Sequence, residues 1–333
     1  MHFLPGNNKP TRDRSVQAIP HGIVLPGRKL CSVAYPLARY GEMQIRSKIG
    51  ATLSDRWANF QRKRANSKSK VPFSLEKYYA DMVTADGLYF IGYSARLRLG
   101  RIKLSYAATL YHPAMTSISS GPVLASHDMP IADDSGLTWS NPVLGFDGRW
   151  RPLTPAVKLV LHKTSKGLVE WICQQQAARV RLRTRSGKQY DGLGYAEFLN
   201  LTIPPWQLGL LNLFWGRFVS DTHSVVWIEW QGEHPFTKLI CNGQSMADAQ
   251  ICDDTVKCDD FVLIFEHEAT IRLGSLGETF ISKIPAAIKD TRIEFLGGRE
   301  QKFLSRGNLQ FEDGSQSTGW VIHERVSWSK NSN

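Results

Sequence analysis

Apolar and polar residues alternate along most of the chain after residue 71. About fourteen runs show the two-residue period of a β-strand, among them residues 88–99 and 224–231. Short turns rich in Gly, Asp, Asn and Ser separate these runs, as in β-hairpins. The longer period of a helix is confined to residues 54–65 and 278–288. The pattern therefore predicts an all-β fold.

The number of predicted strands indicates how they are arranged. About eight strands close a barrel whose interior holds side chains or one small ligand. About fourteen strands therefore favour two consecutive barrels or two packed sheets. Residues 113–155 are dense in Pro, Ser, Gly and Asp. They are predicted to form a loop, either an insertion over a barrel mouth or part of a crossing between domains.

One predicted strand carries a carboxylate on its apolar face. Tyr195, Glu197 and Leu199 point to the same side, because alternate residues of a strand share a face. An unpaired carboxylate buried there would be unfavourable. The same test finds one histidine and three further acidic residues on apolar strand faces: His112, Asp81, Glu229 and Glu324. Together the inward carboxylates predict a polar lining inside an otherwise apolar cavity.

Two interpretations of these carboxylates are open. Desolvation would raise their pKa and keep a proton available for transfer, or a cation would pair with them. Arg217 is the best candidate for an internal cation. Buried ion pairs also often serve only to join strands or barrels. Each residue can therefore have a catalytic or a purely structural role.

The formal net charge of +11 comes from the N-terminal segment. Residues 1–70 hold 14 of the 41 Lys/Arg and 3 of the 30 Asp/Glu, so residues 71–333 hold 27 of each. We interpret residues 1–71 as a basic, partly disordered leader, with a weak contact to an anionic surface as the alternative. We expect no nucleic-acid partner. A structural or nucleic-acid-associated protein, in which the basic leader is the functional part, is the less favoured alternative.

A second basic feature lies on a predicted strand. Arg179, Arg181, Arg183 and Arg185 alternate with other residues and share one strand face. This pattern is typical of a solvated outer face, and an anion-binding surface is the alternative.

The sequence contains no clear targeting or cofactor signal. The first 40 residues have no apolar run of the length found in secretory signals, and no window approaches the ~20 apolar residues of a membrane span. The five cysteines have no tight spacing and are expected to be reduced. We predict a cytoplasmic location, no metal site and no cofactor.

Two short motifs resemble those of a known family. The stretch from Glu76 to Gly87 resembles the Glu-Trp-Trp-Tyr…Asp-Gly opening of the carotenoid 1,2-hydratase (hydroxyneurosporene synthase) and tocopherol-cyclase-like proteins. Gly194-Tyr-Ala-Glu197, followed later by Trp215-Gly216, is similar to their Gly-Tyr-x-Asp-x-Asn-Trp-Gly core. That superfamily also includes natural-product Diels-Alderases. The resemblance covers about residues 72–328.

The resemblance implies two consecutive lipocalin-like β-barrels, in agreement with the strand count. We predict a first barrel at residues 72–203 and a second at residues 204–333. The family's Asp-His pair is Glu197-Phe198 in this chain, and the Trp-Gly element lies further downstream. Both differences weigh against hydration of a carotenoid double bond. The positions that carry over are Glu76, Tyr78, Tyr79, Glu197, Trp215 and Gly216.

The chemistry implied by the resemblance needs no cofactor. We expect a lyase, cyclase or isomerase that acts on a hydrophobic terpenoid- or polyketide-like small molecule by acid/base and shape-directed catalysis. A non-catalytic carrier of a hydrophobic ligand is the alternative. The predicted catalytic residues are Glu197 as acid/base, with Tyr195 and Glu229 tuning or relaying its proton. The predicted substrate-binding residues are Tyr79, Asp81, His112, Trp206, Trp215, Arg217, Trp227 and Glu324.

Overall fold

The computed structural model describes residues 73–115, 129–276 and 297–328, and most of them lie in β-strands. The strands are β1 (Phe73–Val83), β2 (Tyr89–Leu99), β3 (Ile102–Tyr111), β4 (Ile131–Asp133), β5 (Gly136–Asn141), β6 (Phe146–Pro152), β7 (Val157–Thr164), β8 (Gly167–Thr184), β9 (Gln189–Leu201), β10 (Leu210–Val219), β11 (Ser224–Gly232), β12 (Phe236–Cys241), β13 (Gln244–Met246), β14 (Gln250–Ile251), β15 (Thr255–Lys257), β16 (Phe261–Ser275), β17 (Arg299–Phe311) and β18 (Gln316–Ser327). A 3₁₀ turn, Pro205–Gln207, follows β9. The all-β prediction is confirmed.

The strands form two antiparallel sheets, each curled into a half-barrel. The first has the order β3-β2-β1-β9-β8-β6-β5-β4, with β7 also paired to β8. The second has the order β13-β12-β11-β10-β18-β17-β16-β15-β14. β1 and β9 are neighbours near the middle of the first sheet, and β10 and β18 occupy the middle of the second. Side chains of these four strands therefore have the best chance of deep burial.

Three apolar clusters bury these strands. One contains residues of the first sheet only, a second contains residues of the second sheet only, and the third contains residues of both. The two faces of β1 show why separate clusters form. Ala80 and Met82 lie on one face and pack in the first sheet's own cluster, and Tyr79 and Val83 lie on the other face and pack in the shared cluster. The shared core therefore lies where the two sheets pack together.

Residues 113–155 contain strands where a loop was expected. β4, β5 and β6 pair with one another, and β6 pairs with β8. Trp139 and Trp150 from these strands are fully buried. The loop prediction is wrong because these strands alternate only a few large apolar side chains with many Gly, Asp and Ser residues. That composition is also typical of loops. β8 resembles two strands in the sequence for a different reason. Bulges between Cys173 and Ala178 interrupt the alternation of apolar and polar residues along this one strand.

Several predictions fall on residues that the structure does not describe. They are the basic leader at residues 1–71, the helical patterns at residues 54–65 and 278–288, and a short strand at residues 291–295. The division into barrels at residues 203 and 204 stays a prediction, and β9 ends at Leu201 while β10 begins at Leu210. Within the described ranges, no helix has both the length and the apolar character needed to span a membrane.

A histidine in the second sheet should make stability depend on pH. Burial, followed by the charges of His267 and Lys302, lowers the pKa of His323 from 6.5 to about 4. His323 packs against the rings of Phe265 and Phe303, and its Nε2 hydrogen-bonds Ser305 Oγ at 3.1 Å. A lowered histidine pKa means that the unfolded chain binds the proton first, so the stabilisation present above pH 6.5 is lost as the pH falls towards 4.

The expected loss is about 3 kcal/mol of unfolding free energy between pH 7 and pH 4. His323→Gln should remove this part of the pH dependence, because glutamine does not titrate. Urea unfolding of both proteins at several pH values measures the difference. Parallel pH profiles for wild type and His323→Gln would contradict the prediction.

Candidate active site between the two sheets

Glu197 on β9 lies on the face that the two sheets share. It is aligned with Tyr79 on β1 and with Cys173 on β8. Trp171 Nε1 and the Tyr195 hydroxyl each donate a hydrogen bond of 2.6 Å to the same carboxyl oxygen, Oε2. Only 8% of Glu197 is exposed. The two donors therefore fix the orientation of the carboxyl group within the protein.

Burial governs how tightly Glu197 holds a proton. Desolvation raises its pKa, and outweighs the charge of Lys77 and the hydrogen bonds from Trp171 and Tyr195, which act in the opposite direction. Desolvation also raises the pKa of Tyr195, so this hydroxyl keeps the proton that it donates. A carboxyl group with a raised pKa keeps its proton to higher pH than an exposed glutamate, which suits it to act as a proton donor.

A cluster of charged side chains from the second sheet lies on the same shared face. Lys302 on β17 is 1% exposed, and its Nζ contacts Glu324 Oε2 and lies 3.7 Å from Glu300 Oε1. Arg272 Nε lies 3.3 Å from Glu300 Oε2. Burial would lower the pKa of Lys302, but Glu324 and Glu300 outweigh it and raise that pKa. Two cations and two carboxylates thus compensate one another.

Aromatic rings surround the ammonium group of Lys302. Its Nζ lies 5.5 Å from the ring centroid of Tyr79, 5.9 Å from that of Tyr93 and 5.5 Å from that of Trp215. Each distance is within the range of a cation–π interaction. Tyr79 and Tyr93 belong to the first sheet and Trp215 to the second, so the cage joins the sheets around one buried charge.

Lys77 connects Glu197 with this charged cluster. It lies half-buried on β1, with its Nζ 5.4 Å from the ring centroid of Tyr93. Its charge acts to lower the pKa of three carboxyl groups, so all three experience the same cation. We refer to Lys77, Glu197, Glu300, Lys302 and Glu324 as the inter-sheet polar centre.

Asp81 and Arg217 form a separate ion pair between the sheets. Both side chains are completely buried, with Nη2 2.6 Å from Oδ1 and Nε 3.0 Å from Oδ2. Arg217 Nη1 also donates to the Trp320 carbonyl at 2.8 Å, and the Tyr79 hydroxyl donates to Asp81 Oδ2 at 3.0 Å. This fully bonded, bidentate geometry favours a structural role for Asp81 and Arg217.

Three motif positions of the family resemblance meet at this site. Tyr79 is aligned with Glu197, and its ring centroid lies 5.1 Å from that of Trp215. Glu76 and Tyr78 belong to the opposite face of β1, where Glu76 is exposed and Tyr78 packs 4.7 Å from Phe198. The motif residues of β1 are therefore divided between its two faces, and only Tyr79 of these three lies at the site.

Apolar side chains border the shared core near Glu197. Leu199 follows Glu197 on the same face of β9 and is aligned with Lys77 on β1 and Trp171 on β8. Several side chains packed against this core are only partly buried: Leu75, Leu97, Leu159, Leu199, Leu210, Leu213 and Ile271. They come from both sheets, so the border of the shared core keeps partly exposed apolar surface, and Leu199 is the member of this set that lies next to Glu197 on β9.

Glu229 and Trp227 lie on the other face of the second sheet. Glu229 Oε1 accepts a 2.9 Å hydrogen bond from Gln231. The Trp227 ring stacks on Phe265 at 5.7 Å within the second sheet's own core. It also covers Gly216, where an added Cβ would lie 2.1 Å from the indole. The structure does not bring Glu229 to Glu197, so we withdraw the predicted proton relay through Glu229.

His112 and Trp206 lie away from the carboxyl group of Glu197. His112 follows β3, packs 5.8 Å from the Tyr89 ring and accepts a hydrogen bond from the Ala114 N–H. Trp206 packs edge-on against Phe73 at 5.6 Å, at the border of the shared core. Neither side chain forms a hydrogen bond or ring contact with Glu197.

A large groove lies elsewhere between the sheets. Its volume is about 860 Å³, and residues from β6, β8, β9, β17 and β18 line it. None of the eleven predicted site residues is among them. In the described part of the chain, no three His, Cys, Asp or Glu side chains are grouped to hold a metal ion. The predicted absence of a cofactor stays a prediction.

The sequence did not single out Lys302, Glu300 or Trp171. Glu300 and Lys302 share their face of β17 with only one large apolar residue, Leu304, so the strand reads as a polar outer surface. Trp171 sits on an apolar face of β8, and a buried indole N–H needs an acceptor. This need for an acceptor could have pointed from Trp171 to a buried carboxylate such as Glu197.

Comparisons with known proteins give structural likenesses of low similarity. No family model matches the chain, and no curated protein matches its sequence. An AttH-type protein from Nitrosomonas europaea is 8% identical with a TM-score of 0.46, over 78% of this chain and 94% of the other. Kievitone hydratase from Nectria haematococca is 9% identical with a TM-score of 0.45, over 77% and 89%. CghA is 10% identical with a TM-score of 0.44, over 78% and 90%.

With TM-scores below 0.5 and identities of at most 10%, these likenesses leave the function to be argued from the chain's own residues.

Proposed function

We propose that the protein is a cofactor-independent acid/base catalyst that acts on a mainly apolar small molecule, with Glu197 as the proton donor. The observation that carries this proposal is a buried carboxyl group with a raised pKa, oriented by two hydrogen-bond donors. Leu199 beside it and the other partly buried leucines at the border of the shared core would provide apolar surface for a substrate. The reaction would be a cyclisation, an isomerisation or a lyase step on a terpenoid- or polyketide-like molecule.

The neighbouring residues would have supporting roles. Trp171 and Tyr195 are positioning residues, because they hold Oε2 and leave the second carboxyl oxygen to carry the proton. Trp215 and Tyr79 offer aromatic faces, which stabilise positive charge that develops when an alkene is protonated. Lys77 would favour the carboxylate formed after proton donation. The motif resemblance of Glu197, Trp215 and Tyr79 supports the same assignment.

Trp171→Phe should raise the pKa of Glu197 further. The indole N–H hydrogen-bonds the carboxyl oxygen and acts to lower this pKa, so its removal disfavours the ionised form. Carbon-13 NMR titration of the glutamate side-chain carboxyl signals measures the shift. Trp206→Phe is the matched control, because Trp206 borders the same core without bonding to Glu197. An unchanged or lowered pKa in Trp171→Phe would contradict the assigned hydrogen bond.

Glu197→Gln tests the catalytic proposal. Glutamine keeps the shape and removes the transferable proton, so the variant should bind its precursor and not convert it. Because the pKa of Glu197 is raised, folding favours its protonated form, and this stabilisation is lost as the pH rises through that pKa. The uncharged variant should therefore be at least as stable as the wild type at high pH.

The measurement is native mass spectrometry with organic extraction on both proteins, each purified from the host of the protein. The expected result is an apolar molecule in each, with unconverted precursor only in Glu197→Gln. A precursor and product of equal mass indicate cyclisation or isomerisation, and different masses indicate a lyase step. The same unaltered molecule in both proteins would show a carrier, and conversion by Glu197→Gln would exclude Glu197 as the donor.

A further inference from the structure

The groove between the sheets is strongly basic. Six arginines line its volume of about 860 Å³, together with only three aspartates, which gives these side chains a formal charge of +3. The volume is within the usual range of small-molecule sites. The arginines are Arg149, Arg151, Arg179, Arg181, Arg183 and Arg306.

The strand register places some of these arginines directly opposite one another. Arg151 on β6 is aligned with Arg179 on β8, and Arg149 is aligned with Arg181. Like charges at directly opposed positions of a sheet are destabilising. Arg181 is compensated, because its Nε lies 3.0 Å from Asp191 Oδ1. Among the described residues, no carboxylate forms an ion pair with Arg151 or Arg179.

The opposed arginines have the geometry of an anion clamp. Directly opposed residues have Cβ atoms about 5 Å apart, and their guanidinium groups can reach one anionic group together. Arg149 lies two residues from Arg151 on β6, about 6.6 Å along the strand. A second anionic group next to the first would therefore meet Arg149.

The opposite wall of the groove is aromatic. Trp320 on β18 is 7% exposed and lines the groove. The guanidinium carbon of Arg306 lies 3.6 Å from the centroid of the Trp320 ring, so this arginine packs against the indole in a cation–π contact. The groove thus combines a fixed aromatic and cationic wall with an uncompensated arginine pair on the other sheet.

We propose that this groove is a binding site for a small molecule with two adjacent anionic groups, such as the two phosphates of a diphosphate. Arg151 and Arg179 would hold the first group and Arg149 the second, since arginine forms bidentate hydrogen bonds with phosphate. The proposal is independent of the reaction assigned to Glu197, because no residue of the inter-sheet polar centre lines the groove.

Inorganic pyrophosphate is the probe for the test. Isothermal titration of the full-length protein at low salt is expected to show one site, and pyrophosphate is expected to raise the melting temperature. The double variant Arg151→Gln/Arg179→Gln should weaken binding about tenfold or more. It should not lower the melting temperature of the free protein, because it removes opposed like charges.

The matched control is Arg96→Gln/Arg98→Gln, which removes the same charge from exposed positions on β2 outside the groove. This control should bind pyrophosphate like the wild type. Undiminished binding by the groove variant, which keeps the basic leader, would show that the binding is not in the groove and would overturn the proposal. Equal weakening in both double variants, or no binding to the wild type, would also overturn it. Tighter binding of a ten-nucleotide oligothymidylate that is lost in the groove variant would also overturn it, by showing a nucleic-acid surface.

Discussion

Asp81→Asn is expected to lower the free energy of unfolding by about 3–5 kcal/mol, because it leaves the charge of Arg217 buried without a counterion. Both side chains are fully buried, and the two hydrogen bonds between them join β1 of the first sheet to β10 of the second. Guanidinium chloride unfolding of wild type and variant at pH 7 measures the loss.

The control for Asp81→Asn is Asp191→Asn. It breaks the Arg181–Asp191 pair, whose side chains are 66% and 59% exposed, and should cost about 0–1 kcal/mol. Asp81→Leu/Arg217→Met replaces the whole buried pair by apolar groups and should recover most of the lost stability. A loss below about 1 kcal/mol for Asp81→Asn would show that Arg217 reaches water or another partner.

Lys302→Met should have the second large effect, a loss of about 3 kcal/mol at pH 7. The ammonium group of Lys302 contacts Glu324, lies close to Glu300 and is enclosed by three aromatic rings. Its removal leaves two largely buried carboxylates with less compensation. The Lys158–Glu170 pair supplies the control, because the Lys158 side chain is 62% exposed and Lys158→Met should cost about 0–1 kcal/mol.

The pH dependence distinguishes this effect from a simple packing defect. Burial opposes ionisation of Glu324, but Lys302 and Lys77 outweigh it and lower its pKa. A lowered acid pKa contributes stability above the unfolded pKa of about 4.5, and this contribution is lost as the pH falls. Lys302→Met should therefore lose most at neutral pH and approach the wild type at low pH, as urea unfolding can measure. A difference that is independent of pH would assign the effect to lost packing.

The inward position of Glu197 was predictable from its own strand. Side chains of a strand alternate between faces, so the apolar residues Tyr195 and Leu199 fix the face of Glu197 without knowledge of any other strand. The same rule placed Asp81 with Tyr79 and Glu324 with Trp320 and Ile322. It also placed Glu229 on an apolar face correctly, but it could not say that this face belongs to a different core.

The partners of these carboxylates were not predictable in the same way. Arg217 lies 136 residues from Asp81 in the chain, and Trp171 lies 26 residues from Glu197. Lys302 lies on a strand whose polar pattern resembles an outer surface. The register of β8 with β9 and the packing of one sheet on the other decide these contacts, and neither leaves a local pattern in the sequence.

The sequence by itself determined that the chain is all-β and that carboxylates point into apolar faces, because both depend on local alternation. Only the tertiary structure decided which carboxylate pairs with Arg217, that Lys77 is the cation acting on Glu197, and that Arg151 and Arg179 lie opposite each other on neighbouring strands that line a groove. These outcomes depend on contacts between residues far apart in the chain. Burial and opposite charge select the contacts only after the two sheets have come together.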